Sequence, residues 1–558
     1  MIVRYRTPAF FALLGLLFYV ACKGALKGYF SSDDLDNLAW TRNSPLSTFL
    51  IGLISPVFSS SNFRPVGHFY FWALGRTAGL DFSPYVIVLQ LLHLINAALL
   101  WRVLEKLAFP WLARAAGVLF FAFHMAAFDA YFKPMYVFDV LCALFCLFAI
   151  VFWQPRYLAY GILNFMVAYK SKELAVALPF VLFLYEYWLG ERRWKALIPH
   201  VALAVLFTAQ AFFAQGGRGG DYGIRLTPVT LWQTVDFYAT ALLRAPHLGF
   251  AVLALPLFLK DKRLWFGLSM MLLFLAPMLA VPGRLFEAYL YLPLAGLAIV
   301  FASIVTRWPL AAALLIAWLP LQYRELRTLR TAAIAEADET RAFTTKVQEL
   351  GRELKDLDTV LIDTYPAKMR RWGIEGAVRL ALGRDDVNYI YLEDTAHAEP
   401  ADNAKLALLR WNPARNELFI QSRTSGADAA YIELSNIAPI WQLRQGWYQG
   451  EGNFRWTQPR AIARLRRPAN ATRFSVTANI SPDYIKSVKK STLIIKVDGV
   501  EIGRAVYSEN GWLTDYIAVK PVPADANVTV EFSVDPPFRP ANGDPRSLGL
   551  PIAAFGFR

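Results

Sequence analysis

The stretch PAFFALLGLLFYVACKGAL, residues 8–26, is followed closely by the acidic segment YFSSDDLDN, residues 29–37. A helix that crosses a bilayer needs about 20 mostly apolar residues, so the first stretch predicts a membrane span. Basic residues precede it and no small-residue cleavage site follows, which indicates a retained signal anchor. A carboxylate costs about 2.5–3.5 kcal/mol to hold at the centre of a membrane helix. Asp33, Asp34 and Asp36 therefore predict a functional site at the membrane edge.

Composition divides the 558-residue chain near Tyr323 into an apolar part and a polar part. Leu, Phe, Ala and Trp dominate the apolar part, and we predict about eleven spans there. Their expected bounds are 8–26, 85–104, 111–129, 136–153, 157–169, 174–190, 196–214, 247–260, 264–281, 288–306 and 308–322. Basic clusters at alternate turns favour a cytoplasmic N-terminus. Eleven crossings then place the Asp33-Asp34 loop and the C-terminal region on the periplasmic side of a bacterial inner membrane.

The polar part predicts two further domains. Residues 323–400 read as a helical linker, 324–356, followed by a small α/β subdomain. Residues 401–558 show short alternating runs with turn residues between them, among them 418–422 and 491–497, which is typical of a β-sandwich. Four aromatic residues of this region are either a sugar-stacking platform or part of the sandwich core, and the core interpretation is favoured two to one. These residues are Trp441, Trp447, Tyr448 and Trp456.

Charge and cysteine content exclude some classes of protein. The formal net charge is +14, but Lys and Arg are spread over loops without a basic tract, which argues against a nucleic-acid partner. The three cysteines, Cys22, Cys142 and Cys146, all lie in apolar runs. The C-terminal region therefore contains neither a disulfide nor a thiolate zinc site.

Charged groups recur at one predicted edge of the membrane, on the side of Asp33 and Asp34. They lie in the segments 33–36, 62–66, 124–139, 169–173 and 283–293. Taken singly, each has an ordinary explanation, such as a helix cap, a snorkelling arginine or a topology anchor. Asp139 is harder to explain in this way, because an acid inside an apolar run needs a buried partner. The recurrence at one depth predicts a single polar site.

Together these residues resemble the GT-C superfamily of polyprenyl-phosphate-sugar-dependent glycosyltransferases. Within it they are most similar to the protein O-mannosyltransferase-like and bacterial tetratricopeptide-linked branch. The matching residues are Asp33-Asp34, Arg64-Pro65, His124, Asp129, Asp139, Ser171-Lys172-Glu173 with Ala177-Leu178-Pro179, and Tyr289-Leu290-Tyr291-Leu292-Pro293. Met125 and Phe138 stand where the family has proline and arginine, and the C-terminal region is not a repeat array. The resemblance implies a GT-C-like catalytic domain over residues 1–322.

The resemblance also implies residue roles in an inverting transfer of sugar from a lipid-linked donor to an extracytoplasmic hydroxyl. Asp34 or Asp33 would act as general base. Cations would bind the donor phosphate, namely Arg64, Lys133, Lys172 and Arg284. Further residues would position the sugar or acceptor, namely His124, Asp129, Asp139, Glu173, Glu287 and Tyr291. No cofactor is certain; a divalent cation, if present, would lie at Asp33 and Asp129.

Two alternatives stay open at this point. A transporter or flippase for lipid-linked sugars would also place charges near the membrane, although we find no repeated halves of the kind such folds contain. An oligosaccharide ligase or polymerase would use similar donors. The sequence identifies neither the sugar nor the acceptor, which is a glycan, a lipid or a protein.

Overall fold

The computed structural model describes most of the chain. The described ranges are 2–55, 63–215, 223–353, 356–394, 405–423, 428–434, 440–540 and 544–558. The chain divides into two units, Met1–Arg341 and Ala342–Arg558. The expected boundary at residue 322 was set by composition alone. It falls inside the long helix Leu314–Glu353, of which the part up to Arg341 belongs to the first unit.

Helices make up the first unit. Their bounds are α1 Ile2–Cys22, α2 Ser32–Arg42, α3 Leu46–Ile54, α4 Pro65–Thr77, α5 Ser83–Lys106, α6 Trp111–Phe123, α7 Phe128–Phe132, α8 Val137–Val151, α9 Leu158–Ser171, α10 Leu178–Trp188, α11 Ile198–Gln215, α12 Pro228–Leu243, α13 Ala251–Phe258, α14 Lys262–Leu279, α15 Tyr291–Arg307 and α16 Leu314–Glu353. Helix α15 lies at the centre of the packing, against α6 and α14. Gly267 and Gly296 let α14 and α15 approach closely, because a Cβ on Gly296 would meet the Gly267 carbonyl oxygen at 2.6 Å.

Several of these helices are long and apolar enough to cross a membrane. Among the described residues five qualify singly, namely Tyr5–Lys27, Ser83–Lys106, Pro134–Val151, Lys262–Leu279 and Glu287–Arg307. Two bent pairs raise the number to seven: Trp111–Phe123 with Met125–Phe132, and Pro228–Leu243 with Leu248–Phe258. The chain is therefore a helical, membrane-embedded protein, and eleven crossings stay a prediction. Expected spans such as 157–169 and 174–190 form helices of only 14 and 11 residues, because the polar segment at 170–173 separates them.

All three cysteines lie in the first unit and are buried. Cys22, Cys142 and Cys146 expose 3%, 1% and 0% of their surface. The Cys142 thiol approaches the Lys172 carbonyl oxygen at 3.8 Å. These side chains therefore pack as small apolar groups.

The second unit contains a small mixed sheet with strand order β2-β1-β3-β4. Its strands are β1 Thr359–Thr364, β2 Asn388–Tyr391, β3 Leu406–Asn412 and β4 Glu417–Arg423, and the helix α17 spans Arg371–Leu382. Strand β1 runs parallel to β2 and β3, as expected when a helix connects β1 to β2. The expected assignment of 418–422 to the sandwich is wrong, because β4 forms a hairpin with β3.

Two antiparallel sheets follow, and one hydrophobic core contains side chains from both, which confirms that the C-terminal region is rich in strands. The strand orders are β11-β10-β13-β8 and β12-β9-β14-β7-β6, with β5 beside β14. Their bounds are β5 Tyr431–Glu433, β6 Trp447–Gly450, β7 Arg455–Thr457, β8 Arg460–Arg467, β9 Arg473–Ile480, β10 Ser491–Val497, β11 Val500–Tyr507, β12 Gly511–Ala518, β13 Ala526–Asp535 and β14 Pro551–Phe557, with α18 at Pro482–Val488. Trp447 and Trp456 belong to the core, and Trp441 and Tyr448 pack against it. Trp447 and Trp456 thus occupy the core, as the favoured interpretation predicted.

Candidate active site

The Asp33-Asp34 pair begins helix α2. Asp34 is fully buried, and its Oδ2 atom accepts hydrogen bonds from the Ser31 amide and the Ser31 hydroxyl, both at 2.7 Å. Ser31 and Asp34 form a capping box, which satisfies amides at the start of the helix. The Asp34 Oδ1 atom is buried and has no hydrogen-bond partner among the described residues. Asp34 therefore holds the helix start, while the neighbouring Asp33 is partly exposed.

Burial raises the pKa of the Asp34 carboxyl from its usual value near 4 to about 7, although the Ser31 hydrogen bonds oppose the shift. The nearby Asp33 carboxylate contributes a smaller part in the same direction. Asp34 lies outside the membrane-spanning segments. Its protonation state therefore changes close to neutral pH.

This pKa predicts a pH-dependent stability. Below about pH 4 Asp34 is protonated in both folded and unfolded chains, so its burial does not oppose folding. As pH rises from about 4 to about 7, ionisation favours the unfolded chain and stability falls. An Asp34→Asn variant keeps an amide oxygen for the Ser31 amide and does not ionise. We expect its melting temperature in detergent to exceed that of the wild type at pH 8 and to match it near pH 4. A difference that grows toward acid pH would contradict this.

A hydrogen-bonded path leads from α2 to Arg64. The Asn37 amide donates to the Asp33 carbonyl oxygen at 2.7 Å, and the Asn37 Oδ1 atom lies 2.9 Å from His68 Nε2. The Arg64 backbone amide donates to His68 Nδ1 at 3.0 Å, so Nε2 carries the proton and donates to Asn37. Burial lowers the pKa of His68 to about 3. A neutral His68 therefore connects α2 to the start of α4; sequence reasoning missed it, as well as Asn37.

Arg64 forms a bidentate ion pair with Glu173. The Arg64 Nε atom lies 3.0 and 3.2 Å from the two Glu173 oxygens, and Nη2 lies 3.0 Å from Oε2. Burial by itself would raise the pKa of Glu173, but Arg64 outweighs it and the pKa is lowered. The geometry is the planar one that guanidinium groups also offer to phosphates. Two predicted site residues that are far apart in the sequence thus form an ion pair in the fold.

Asp139 has the buried partner that its position in an apolar helix required. The Lys172 ammonium lies 2.5 Å from Asp139 Oδ1, and their side chains are 11% and 4% exposed. Arg64 and Glu173 also lie within electrostatic range of Asp139. The Lys172 ammonium lies 4.4 Å from the centre of the Tyr289 ring. Arg64, Asp139, Lys172 and Glu173 therefore form one group of alternating charge.

Tyr289 joins this group to Arg284. The Arg284 Nη2 atom donates to the Tyr289 hydroxyl at 3.2 Å. Because Lys172 lies over the ring of the same tyrosine, two predicted phosphate ligands share one neighbour. The fourth predicted phosphate ligand, Lys133, lies 3.3 Å from Asp129 and within electrostatic range of Asp34.

Tyr136 lies near three of the acidic site residues. Asp33, Asp129 and Asp139 are all within electrostatic range of its hydroxyl, and so is Tyr289. These residues come from α2, α7, α8 and the turn before α15. We call the whole set the charged cluster; it comprises Asp33, Asp34, Arg64, Asp129, Lys133, Tyr136, Asp139, Lys172, Glu173, Arg284 and Tyr289. The convergence that the sequence predicted is therefore present in the fold.

The polar atoms of three expected site residues, His124, Glu287 and Tyr291, are bonded to other parts of the fold. His124 caps a short helical turn: its Nδ1 atom accepts from the Ala126 amide at 3.2 Å, and Nε2 lies 2.9 Å from the Leu242 carbonyl oxygen. Both ring nitrogens are thus used within the fold, and the expected role in positioning substrate does not fit this geometry. Glu287 pairs with Arg244, which also pairs with Glu325.

The Tyr291 hydroxyl is occupied by side chains of α5. It lies 2.8 Å from His93 Nδ1 and accepts from Asn96 at 3.1 Å. Tyr291 is buried, although Asp139 is within its electrostatic range. Of the two tyrosines in Tyr289-Leu290-Tyr291, Tyr289 is therefore the one that contacts the cations. The alternating Tyr-Leu-Tyr sequence alone does not indicate which of the two tyrosines faces the site.

A metal site was expected, if anywhere, at Asp33 and Asp129. Across the ranges that the structure describes, no group of three or more His, Cys, Asp or Glu side chains is arranged to hold a metal ion. Asp129 instead pairs with Lys133, and Asp139 with Lys172.

Comparisons with family models, with curated proteins and with solved structures find no match for this chain.

Proposed function

We propose that this chain is a membrane glycosyltransferase of the GT-C type. It transfers a sugar from a polyprenyl-phosphate donor to a hydroxyl group of an extracytoplasmic acceptor, with inversion at the anomeric carbon. The observation that supports the proposal is the charged cluster, because groups from five separate stretches of an apolar domain meet at one place. Buried and half-buried charges in a membrane protein are costly, and they commonly mark a site that handles a charged ligand.

Two cations suit the donor phosphate. Lys172 and Arg284 flank Tyr289 from its ring face and its hydroxyl. A phosphate placed there would receive charge-assisted hydrogen bonds from both. As the bond between the anomeric carbon and the phosphate oxygen breaks, negative charge grows on the departing phosphate, and these cations stabilise it. Arg64 and Lys133 lie farther along the cluster, where Glu173 and Asp129 orient them.

Asp33 is the better general base of the acidic pair. Asp34 is sealed and caps α2, whereas Asp33 is partly exposed and lies within range of Tyr136. In the proposed step the acceptor oxygen forms a bond to the anomeric carbon while the phosphate leaves with the electron pair of the broken bond. The acceptor proton passes to the Asp33 carboxylate, so charge balances overall. Asp34 acts as a positioning residue.

A turnover experiment tests the proposal. The purified full chain in detergent is incubated with decaprenyl phosphate esters of labelled mannose, glucose, galactose or arabinose and with mixed envelope glycans, lipids and proteins as acceptors. We expect at least one ester to release decaprenyl phosphate, with the label recovered in an acceptor. A transporter would return every ester unchanged in detergent, and this outcome would contradict the proposal. A ligase or polymerase would act only on donors that carry an oligosaccharide.

A further inference from the structure

Tyr136 occupies an unusual position in the charged cluster. Its side chain is 7% exposed, so it is more than nine-tenths buried. Charged and polar groups nevertheless lie within electrostatic range of its hydroxyl, namely Asp33, Asp129, Asp139 and Tyr289. A buried tyrosine hydroxyl normally finds a hydrogen-bond partner.

No such partner is present among the residues that the structure describes. The backbone amide of Tyr136 donates a hydrogen bond to the Lys133 carbonyl oxygen at 3.0 Å, but the side-chain hydroxyl forms none within the described ranges. The neighbouring Tyr131 differs, since its hydroxyl points to the Met125 sulfur at 4.0 Å in an aromatic environment. Tyr136 thus presents a donor and an acceptor to the cluster, and the fold uses neither.

The surrounding charges indicate which ligand fits there. Asp129 and Asp139 are already paired with Lys133 and Lys172, so a phosphate near Tyr136 would have to compete with these carboxylates for the lysines. A sugar is uncharged and carries several hydroxyl groups. One sugar hydroxyl can accept a hydrogen bond from Tyr136 while others donate to the carboxylates, which accept only.

We infer that Tyr136 binds the transferred sugar, and that Tyr136, Asp33, Asp129 and Asp139 form the sugar subsite. This inference rests on the proposed function. It divides the cluster into two parts: Lys172 and Arg284 hold the phosphate beside Tyr289, and Tyr136 binds the sugar together with the neighbouring acids. Tyr136 is then a residue that contributes to the choice of sugar.

Binding measurements test this without requiring turnover. The dissociation constant of the purified full chain is measured for decaprenyl phosphate and for its mannosyl, glucosyl, galactosyl and arabinosyl esters. The ratio of the constants for the bare phosphate and for the best ester gives the sugar preference. We expect a wild-type ratio above one. In Tyr136→Phe, which removes only the hydroxyl, we expect this ratio to fall about 3- to 10-fold, as for the loss of one neutral hydrogen bond. The affinity for decaprenyl phosphate itself should not change.

Tyr131→Phe is the matched control, because it removes a nearby buried tyrosine hydroxyl that already points to the Met125 sulfur. Its sugar preference should equal that of the wild type. An unchanged preference in Tyr136→Phe, or an equal loss for bare phosphate and ester, would overturn the sugar subsite and leave the proposed function standing. Equal affinity of the wild type for decaprenyl phosphate and for its sugar esters would also overturn the sugar subsite and leave the proposed function standing. Failure to bind any of the lipids would overturn both.

Discussion

Asp33→Asn is expected to lower the release of decaprenyl phosphate by about 10²–10⁴-fold, the usual contribution of a positioned general base. The substitution keeps the size of the side chain but removes the carboxylate that would take the acceptor proton. Donor binding should change little, because the proposed phosphate ligands Lys172 and Arg284 lie beside Tyr289. The loss should therefore appear in kcat at saturating donor. Initial rates with the most active labelled ester measure it.

Two further substitutions control this experiment. Asp34→Asn retains the cap at Ser31 and should lower the rate less than tenfold if Asp34 only positions α2. Asp81→Asn makes the same chemical change at an exposed acid that accepts from the Ser83 amide at 3.1 Å, and it should leave the rate unchanged. If Asp34→Asn removed activity and Asp33→Asn did not, the two roles would have to be exchanged.

The second large effect concerns the buried pair of Lys172 and Asp139. Lys172→Met leaves the Asp139 carboxylate buried without its ammonium partner at 2.5 Å. Removing one member of a buried pair typically costs about 3–5 kcal/mol, so we expect a clear fall in the free energy of unfolding. Denaturant or thermal unfolding of the full chain in detergent measures it. Release of lipid phosphate should be lost as well, since Lys172 is a proposed phosphate ligand.

The double variant Lys172→Met/Asp139→Leu separates stability from activity. Replacing both charges by apolar groups is often neutral or stabilising, so the free energy of unfolding should recover. Activity should not recover. For comparison, Arg102→Met breaks the exposed pair with Glu105, which is worth less than about 1 kcal/mol. Recovery of full activity in the double variant would show that Lys172 serves the fold alone.

The sequence predicted the strands well, because their signals are local. Strand β10 has the predicted bounds, Ser491–Val497, since alternating apolar residues flanked by turns specify a strand wherever its partners lie. Strand β4 was assigned to the wrong sheet because the signals that determine its partner are not local. Its own pattern does not record that it pairs with β3, and pairing between strands is a property of the fold.

Site residues divide in a similar way. Asp139 could be recognised because an acid within an apolar run needs a partner, and Lys172 supplies it. His124 and Tyr291 occur in equally suggestive motifs, yet their polar atoms are used inside the fold. Tyr136 was overlooked because a tyrosine at the end of a membrane helix is ordinary, and only the position of its hydroxyl distinguishes it.

The burial of all three cysteines has a practical consequence for membrane topology. Structural thiols that are buried react poorly with water-soluble maleimides. Cys22, Cys142 and Cys146 are each at most 3% exposed, so the natural chain already provides an unreactive background. A single cysteine introduced at an exposed loop position would then be the labelled group. Reagents applied from one face of sealed vesicles can thus map the orientation of each loop without first removing the native thiols.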